Sequence, residues 1–261
     1  MRMLPALAFA AATLVGTSAA FAGPFSVPGG GTIKTTENSY ESTVAVKGDV
    51  LNSIFNVTQI NGVSGITYSY GAPTFLVGSF TNFVLDTVTG ITGGFRLAFT
   101  GGALNYYSFG ADPFLGGALT NGSGTQQDAL NAVALGTLEL SLTPQLIDAT
   151  HTLYIDVFGG VPPFTTFVSA GTSKVFLDIV GGASASLFSQ DTFTNTFTLA
   201  LADGVYLGTA NTENCSIAPR WQVCGQNSAT LTVIPEPITL SLFGAGLAGA
   251  AALRRRKIKK A

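Results

Sequence analysis

Apolar and polar residues alternate along most of the chain between residues 23 and 233. In the stretch 137–142 every second residue is leucine, and threonine, glutamate or serine stands between the leucines. The same period of two recurs at 152–157, 174–179, 192–201 and 228–233. Such a period places one set of side chains on a core and the other in water, as antiparallel sheets require. The pattern therefore predicts β-strands at these positions.

Further apolar, β-branched or aromatic segments complete the predicted set of strands. They lie near residues 42–47, 50–60, 65–70, 74–86, 91–99 and 104–109. Glycine, asparagine, aspartate and proline separate them, as at Asn61-Gly62, which is a typical turn sequence. About eleven short strands joined by turns indicate an all-β fold, and we predict an antiparallel β-sandwich of the jelly-roll type.

One segment between the predicted strands has a different period. Thr125 is a typical N-cap residue, and Leu130, Val133 and Ala134 follow it at helical spacing. Over residues 125–135 we therefore predict a short helix, or a loop that turns into the next strand.

The N-terminus has the three parts of a secretory signal peptide. Arg2 is followed by an apolar stretch from Leu4 to Ala20. Ala20-Phe21-Ala22 then matches the A-x-A pattern of a signal-peptide cleavage site. A buried N-terminal helix would fit the early proline and the small residues before the exit less well. We predict that residues 1–22 are removed by cleavage between Ala22 and Gly23, so that residues 23–233 fold outside the cytoplasm.

The C-terminus, residues 234–261, also has three parts. Pro235-Glu236-Pro237 precedes an apolar segment at 238–253. As a single transmembrane helix this segment would be about 24 Å long. The hydrocarbon core is about 30 Å thick, so the flanking cations would have to reach towards the headgroups. The basic tail, expected to stay in the cytoplasm, consists of Arg254, Arg255, Arg256, Lys257, Lys259 and Lys260.

This order of Pro-Glu-Pro, short apolar segment and basic tail resembles the PEP-CTERM sorting signal of exosortase substrates. The resemblance is limited to the C-terminal tail. In that bacterial family a membrane-embedded enzyme, the exosortase, processes the substrate near the motif. The product reaches the cell surface or the extracellular matrix, often alongside exopolysaccharide. The resemblance implies that Pro235, Glu236 and Pro237 form a recognition element and that the exosortase is the processing partner.

Two other readings of the tail compete with the sorting signal. A GPI signal normally ends in its hydrophobic stretch, so the terminal cations argue against it. A plain C-terminal membrane anchor would need the apolar segment and the cations, but it would have no use for Pro-Glu-Pro.

The charges of the chain are distributed unevenly. Residues 23–233 contain five basic and thirteen acidic side chains, a net charge of −8, although the whole chain has a formal net charge of −2. An acidic body repels phosphate backbones, which excludes nucleic acid as a partner. With 46% hydrophobic and only 10% charged residues, the chain is also unlike an intrinsically disordered protein.

Cys215 and Cys224 bracket a short loop. An exported chain with one nearby pair is expected to form a disulfide, which for a loop of about ten residues would contribute about 2.7 kcal/mol. Metal binding is the alternative, but the single histidine, His151, is far away in sequence, so we predict neither a metal nor a cofactor. Trp221 lies inside the loop, where it is expected either to pack against the disulfide or to be exposed for stacking on a sugar ring.

The sequence contains no recognisable catalytic motif. Neither a Gly-x-Ser-x-Gly elbow, nor a phosphate loop, nor an Asp-x-Asp-x-Asp-Gly calcium loop is present. We therefore predict a non-enzymatic surface or matrix protein with a structural or adhesive role. A carbohydrate-binding module associated with exopolysaccharide is the second hypothesis, and a secreted hydrolase is the third. Convergence of His151 with two carboxylates or a serine would favour the hydrolase.

Overall fold

The computed structural model describes the body of the chain. The described residues are 25, 31–62, 65–71, 73–115, 119–120, 124–158, 170–188, 191–214, 220–221 and 223–233. The predicted signal peptide with its cleavage site lies outside this part, and so does the predicted transmembrane segment at 238–253. Among the described residues, no helix is long and apolar enough to cross a membrane.

Strands dominate the described part of the chain. They are β1 (Gly31–Glu41), β2 (Val50–Gly62), β3 (Gly65–Ser69), β4 (Phe75–Ile91), β5 (Gly94–Phe109), β6 (Thr137–Pro144), β7 (Leu153–Phe158), β8 (Ala170–Gly181), β9 (Phe193–Thr194), β10 (Leu201–Ala202), β11 (Gly204–Asn214) and β12 (Val223–Val233). One α-helix, α1 (Gln126–Val133), lies between β5 and β6, and a 3-10 turn occupies Ala185–Leu187.

Eight strands of the described body close into an antiparallel barrel. Around the ring the order is β1, β12, β11, β8, β6, β5, β4 and β2, and β1 pairs with β2 to complete the circle. Tyr40 of β1, for example, is opposite Cys224 on one side and Ile54 on the other. Like β6, β7 lies between β5 and β8 and pairs with both of them. The predicted jelly-roll-like β-sandwich is therefore wrong.

The physical reason for this error lies in β1. Sandwiches and barrels both place alternate side chains on an enclosed core, so alternation predicts the strands without distinguishing the two folds. A sandwich keeps unpaired sheet edges, whereas β1 is paired along both of its sides. β1 was not among the predicted strands, because its inward side includes the buried polar residues Thr35, Glu37 and Ser39. β11 was missed as well.

The lumen of the barrel is filled by aromatic and aliphatic side chains. Phe55, Phe80, Tyr106 and Tyr206 pack at its centre, and the rings of Phe80 and Tyr206 meet edge to face at 4.5 Å between centroids. Gly78 of β4 makes this packing feasible, because a Cβ there would lie 2.0 Å from the Phe55 ring. The barrel interior is thus a packed core and not a channel.

A second apolar cluster lies outside the barrel, beneath α1. Leu130 and Val133 of the helix pack on Ile54 of β2 and Val77 of β4. The helix begins as predicted, because Thr125 caps it and forms a reciprocal capping box with Asp128. The short helix, of the two alternatives for this segment, is confirmed.

Two predicted strands are replaced by local turns. In the segment 192–201, the Asn195 Oδ1 accepts hydrogen bonds from the backbone N–H groups of Phe197 and Thr198, and only the short β9 and β10 remain paired. In the segment 42–47, the N–H groups of Ala45 and Val46 both donate to the Asp49 carboxylate. Short polar side chains that bond the nearby backbone compete with strand pairing, which explains both errors.

Candidate functional site

The chain enters and leaves the barrel side by side. β12 pairs with β1 up to its last residue, Val233, which is opposite Gly31. Ahead of β1, the ring of Phe25 is fully buried and packs edge to face against Tyr106 and Phe188, with centroids 5.5 and 5.7 Å apart. The barrel therefore holds both the segment that follows the predicted signal peptide and the strand that leads into the C-terminal tail.

The tail itself begins directly after the barrel. The sequence passes from Val233, the last residue of β12 and paired with β1, to Pro235-Glu236-Pro237 with a single residue between them. These three residues and the basic residues from Arg254 to Lys260 lie outside the described part of the chain. Any enzyme that reads Pro-Glu-Pro must therefore work within a few residues of a folded barrel.

A carboxylate that the sequence analysis did not single out lies at the centre of the lumen. Glu37 is fully buried, and its Oε1 accepts hydrogen bonds from the hydroxyls of Thr35 at 2.8 Å and Tyr106 at 2.9 Å. Its Oε2 accepts one from the Tyr206 hydroxyl at 2.8 Å. Burial raises the pKa of Glu37 to about 7, although the three donors oppose the shift. One signal in the sequence could have indicated where Glu37 lies. It comes four residues after Ile33, so in a strand both side chains lie on the same face, and both are buried here.

His151 lies in a polar cluster on the barrel wall. Its Nδ1 is 2.6 Å from Asp148 Oδ2, and its Nε2 is 3.1 Å from Asp86 Oδ2. The Tyr154 hydroxyl donates to the same Asp148 oxygen at 2.6 Å, and Lys47 Nζ lies 2.7 Å from Asp86 Oδ1. Although partial burial opposes it, the two carboxylates raise the pKa of His151 and so favour the imidazolium.

This cluster differs from a catalytic triad in its geometry. In a triad, one ring nitrogen faces the orienting carboxylate and the other faces the nucleophile. Here Asp86 occupies the second position of His151, and the hydroxyl Oγ1 of Thr150 lies 3.3 Å from the nitrogen that Asp148 already binds. The two carboxylates bind opposite nitrogens of the His151 ring. Among the described residues, no group of His, Cys, Asp and Glu could hold a metal ion.

Trp221, expected either to pack inside the protein or to stack on a sugar ring, is buried. Its side chain is 1% exposed, lies in the cluster beneath α1, and donates its indole N–H to the Leu119 carbonyl at 3.0 Å. A sugar ring needs an exposed aromatic face, and Trp221 does not provide one. Within this loop, Cys224 is the second residue of β12, whereas Cys215 lies outside the described residues.

Comparison with known proteins identifies the C-terminal tail. Residues 233–257 match the family model described as the PEP-CTERM protein-sorting motif. The chain ends in a PEP-CTERM motif. Neither a curated protein nor a solved structure matches the chain.

The PEP-CTERM motif indicates an exported protein that an exosortase processes and that has a surface or extracellular destination. The match begins at Val233, the last residue of β12, so the motif and the barrel adjoin with no linker between them. The predicted recognition residues Pro235, Glu236 and Pro237 lie inside the matched range. The motif was readable from sequence because its three parts are contiguous, whereas the polar clusters of the body join residues far apart in the chain.

We expect Cys215 and Cys224 to form a disulfide in the exported protein. Trypsin cleaves after Arg220, between the two cysteines, so a digest under non-reducing conditions should yield two peptides joined by the disulfide. Reduction should separate them. Replacing Cys224 by serine should lower the free energy of unfolding by about 2.7 kcal/mol. Two thiols that both react with an alkylating reagent in the native exported protein would show this prediction to be wrong.

Proposed function

We propose that this chain is a non-enzymatic protein of the cell surface or extracellular matrix, with a structural or adhesive role. The barrel is the part of the protein that is displayed, and the PEP-CTERM motif directs it to the surface. The observation that carries the proposal is the packed lumen. The void lined by Glu41, Ser53, Ser173 and Asn227 has a volume of about 40 Å³, which is too small for any substrate larger than a few waters.

The delivery step follows from the sequence of the tail. The apolar segment at 238–253 would hold the precursor in the membrane, and the cations from Arg254 to Lys260 would keep its end in the cytoplasm. Pro-Glu-Pro would then lie at the outer membrane face, next to the barrel. The exosortase would act next to the barrel, because β12 pairs with β1 up to Val233.

A secreted hydrolase is supported by one observation, the convergence of His151 with Asp86 and Asp148. The chemistry of this cluster argues for a structural ion network and against a hydrolase. A general base must have a free nitrogen to accept a proton, and both ring nitrogens of His151 face carboxylates. The network joins the loop before β7 to β4 and to Lys47, so it fixes three segments of the barrel wall.

The effect of His151→Gln on the surface matrix separates these two roles. In cells that lack the chromosomal gene, the parent chain and His151→Gln should restore the cohesion of the matrix equally. Glu236→Ala, which is expected to stay unprocessed, should fail to restore it. Surface labelling checks that equal amounts of the first two proteins are displayed. If His151→Gln is displayed like the parent and yet fails to restore cohesion, a catalytic role replaces the structural one.

A further inference from the structure

A groove with a volume of about 210 Å³ lies between α1 and the outer face of the barrel. Ser79 of β4 and Asn105 of β5 are register partners on its floor, and Gln127 and Asn131 of α1 line its wall. The volume is several times that of one water molecule. The groove lies where the apolar packing beneath α1 ends and polar side chains begin.

Most side chains that line this groove are polar, and none of them carries a charge. It contains the amide side chains of Asn82, Asn105, Gln127 and Asn131 together with the hydroxyls of Ser79, Thr81 and Tyr107. Each amide presents two N–H donors and one oxygen acceptor. Gln127 Nε2 donates to Asn131 Oδ1 at 2.9 Å, which leaves the Gln127 oxygen and the Asn131 amino group available. Within the described part of the chain, the side chains of Asn82 and Asn105 make no hydrogen bond to another protein group.

The backbone of Asn82, one of the residues that line the groove, has an unusual conformation. Its φ is 60°, in the left-handed region, which asparagine tolerates better than most residues. The backbone N–H of Asn82 donates to Asn52 Oδ1 at 3.1 Å, beside an irregularity in the pairing of β2 with β4. This conformation leaves Asn82 exposed while Phe83 turns into the core. Bulges and strained residues of this kind cluster at binding sites.

The groove also has an apolar side. Tyr107 is half-buried against the cluster beneath α1, and Leu130 of the helix lies beside it. We propose that this groove binds a neutral saccharide, whose hydroxyls pair with the amides while the C–H face of the sugar ring rests on Tyr107. This inference goes beyond surface display and assigns a binding site that does not involve Trp221.

The surroundings of the groove argue against two other ligand classes. An acidic polysaccharide would find no cation among the lining residues and would face a body with a net charge of −8. A peptide cannot add to the sheet here as an extra strand, because β4 is paired with β2 and β5, and β5 is paired with β4, β6 and β7. A neutral polyol needs neither a countercharge nor a free strand edge.

The test uses the side-chain amide signals of the groove in ¹⁵N-labelled protein that its own cells have exported and processed. The neutral probes are maltohexaose, cellohexaose and mannohexaose, and the others are hexagalacturonate and an asparagine-rich peptide. At least one neutral probe should shift the NH₂ signals of Asn105 and Asn131. Asn105→Ala and Asn131→Ala should each weaken that binding about tenfold. Asn38→Ala, on the outward face of β1, should leave the binding unchanged.

Several results would overturn the proposal. The absence of any shift with the neutral probes up to about 10 mM would do so, since that concentration detects millimolar affinity. Equal or stronger binding of hexagalacturonate or of the peptide would contradict the ligand class. Shifts that survive Asn105→Ala would place the site elsewhere. Loss of surface display is not an expected result of these variants, so failure to bind would leave the proposed delivery role intact.

Discussion

Replacing Glu37 by alanine should lower the free energy of unfolding by about 3 kcal/mol or more. The substitution removes the acceptor of three buried hydroxyls, those of Thr35, Tyr106 and Tyr206, and opens a void among packed rings. Each buried donor left without a partner costs about 1–3 kcal/mol. Urea unfolding of the processed protein measures the change. Asn38→Ala, on the exposed face of the same strand, is the matched control and should change stability by less than about 0.5 kcal/mol.

The same carboxyl should make the stability of the barrel depend on pH. Burial raises the pKa of Glu37 from its ordinary 4.5 to about 7, so the folded protein holds this proton more tightly than the unfolded chain does. The resulting stabilisation is fully present below pH 4.5 and is lost as the pH rises through about 7. A displacement of this size corresponds to about 3 kcal/mol.

Glu37→Gln isolates this contribution, because glutamine cannot release a proton. Between pH 5 and 8 the free energy of unfolding should fall more steeply for the parent than for Glu37→Gln. Glu41, whose pKa burial also raises, and His151, whose pKa its carboxylates raise, act in the same direction in both proteins and cancel in the difference. Parallel pH profiles, or an alanine variant as stable as the parent, would contradict the role assigned to Glu37.

Local sequence predicted the parts of this fold that depend on local patterns. The alternation at 137–142 and 174–179 corresponds to β6 and β8, and Thr125 caps α1. Closure of the ring depends on which strands pair, and it is decided by β1, whose inward Glu37 made the strand look like a polar segment. Such a carboxyl is tolerated in the core because hydroxyls from β5 and β11 reach it.

The candidate sites also differ in whether they depend on local sequence or on the fold. The sorting motif is contiguous, so its resemblance to the PEP-CTERM signal could be seen in the sequence. The cluster around His151 joins Asp86 and Asp148, and the groove joins Asn105 to Asn131, so both exist only after the barrel has closed. The burial of Trp221 could not be predicted from the residues around it, because it depends on α1, a helix that is distant in sequence.

Replacing Glu236 by alanine should stop processing at the tail and leave the protein, with its tail intact, in the membrane. The physical reason is a division of roles within the tail. The apolar segment at 238–253 and the basic tail fix the position and orientation of the precursor, whereas Pro-Glu-Pro is needed only by an enzyme that reads it. Glu213→Ala, the same substitution within β11, is the matched control and should be processed like the parent. Mass spectrometry of membrane and released fractions gives the readout.

A plain membrane anchor makes a different forecast for these variants. It depends on hydrophobicity and charge, so Glu236→Ala would behave like the parent. Neutralising the cations from Arg254 to Lys260 should disturb orientation or retention under either account. If Glu236→Ala is processed and released like the parent, Glu236 has no part in recognition.

The intact mass of the protein, compared between cells with and without the exosortase, tests the central claim most directly. With the enzyme, we expect a chain that starts at Gly23 and ends near Pro235-Glu236-Pro237, without the apolar segment and the basic tail. Without the enzyme, the chain should start at the same residue and keep the apolar segment and the basic tail. An identical mass in the two kinds of cell would contradict the account of an exported barrel that is processed at its PEP-CTERM motif.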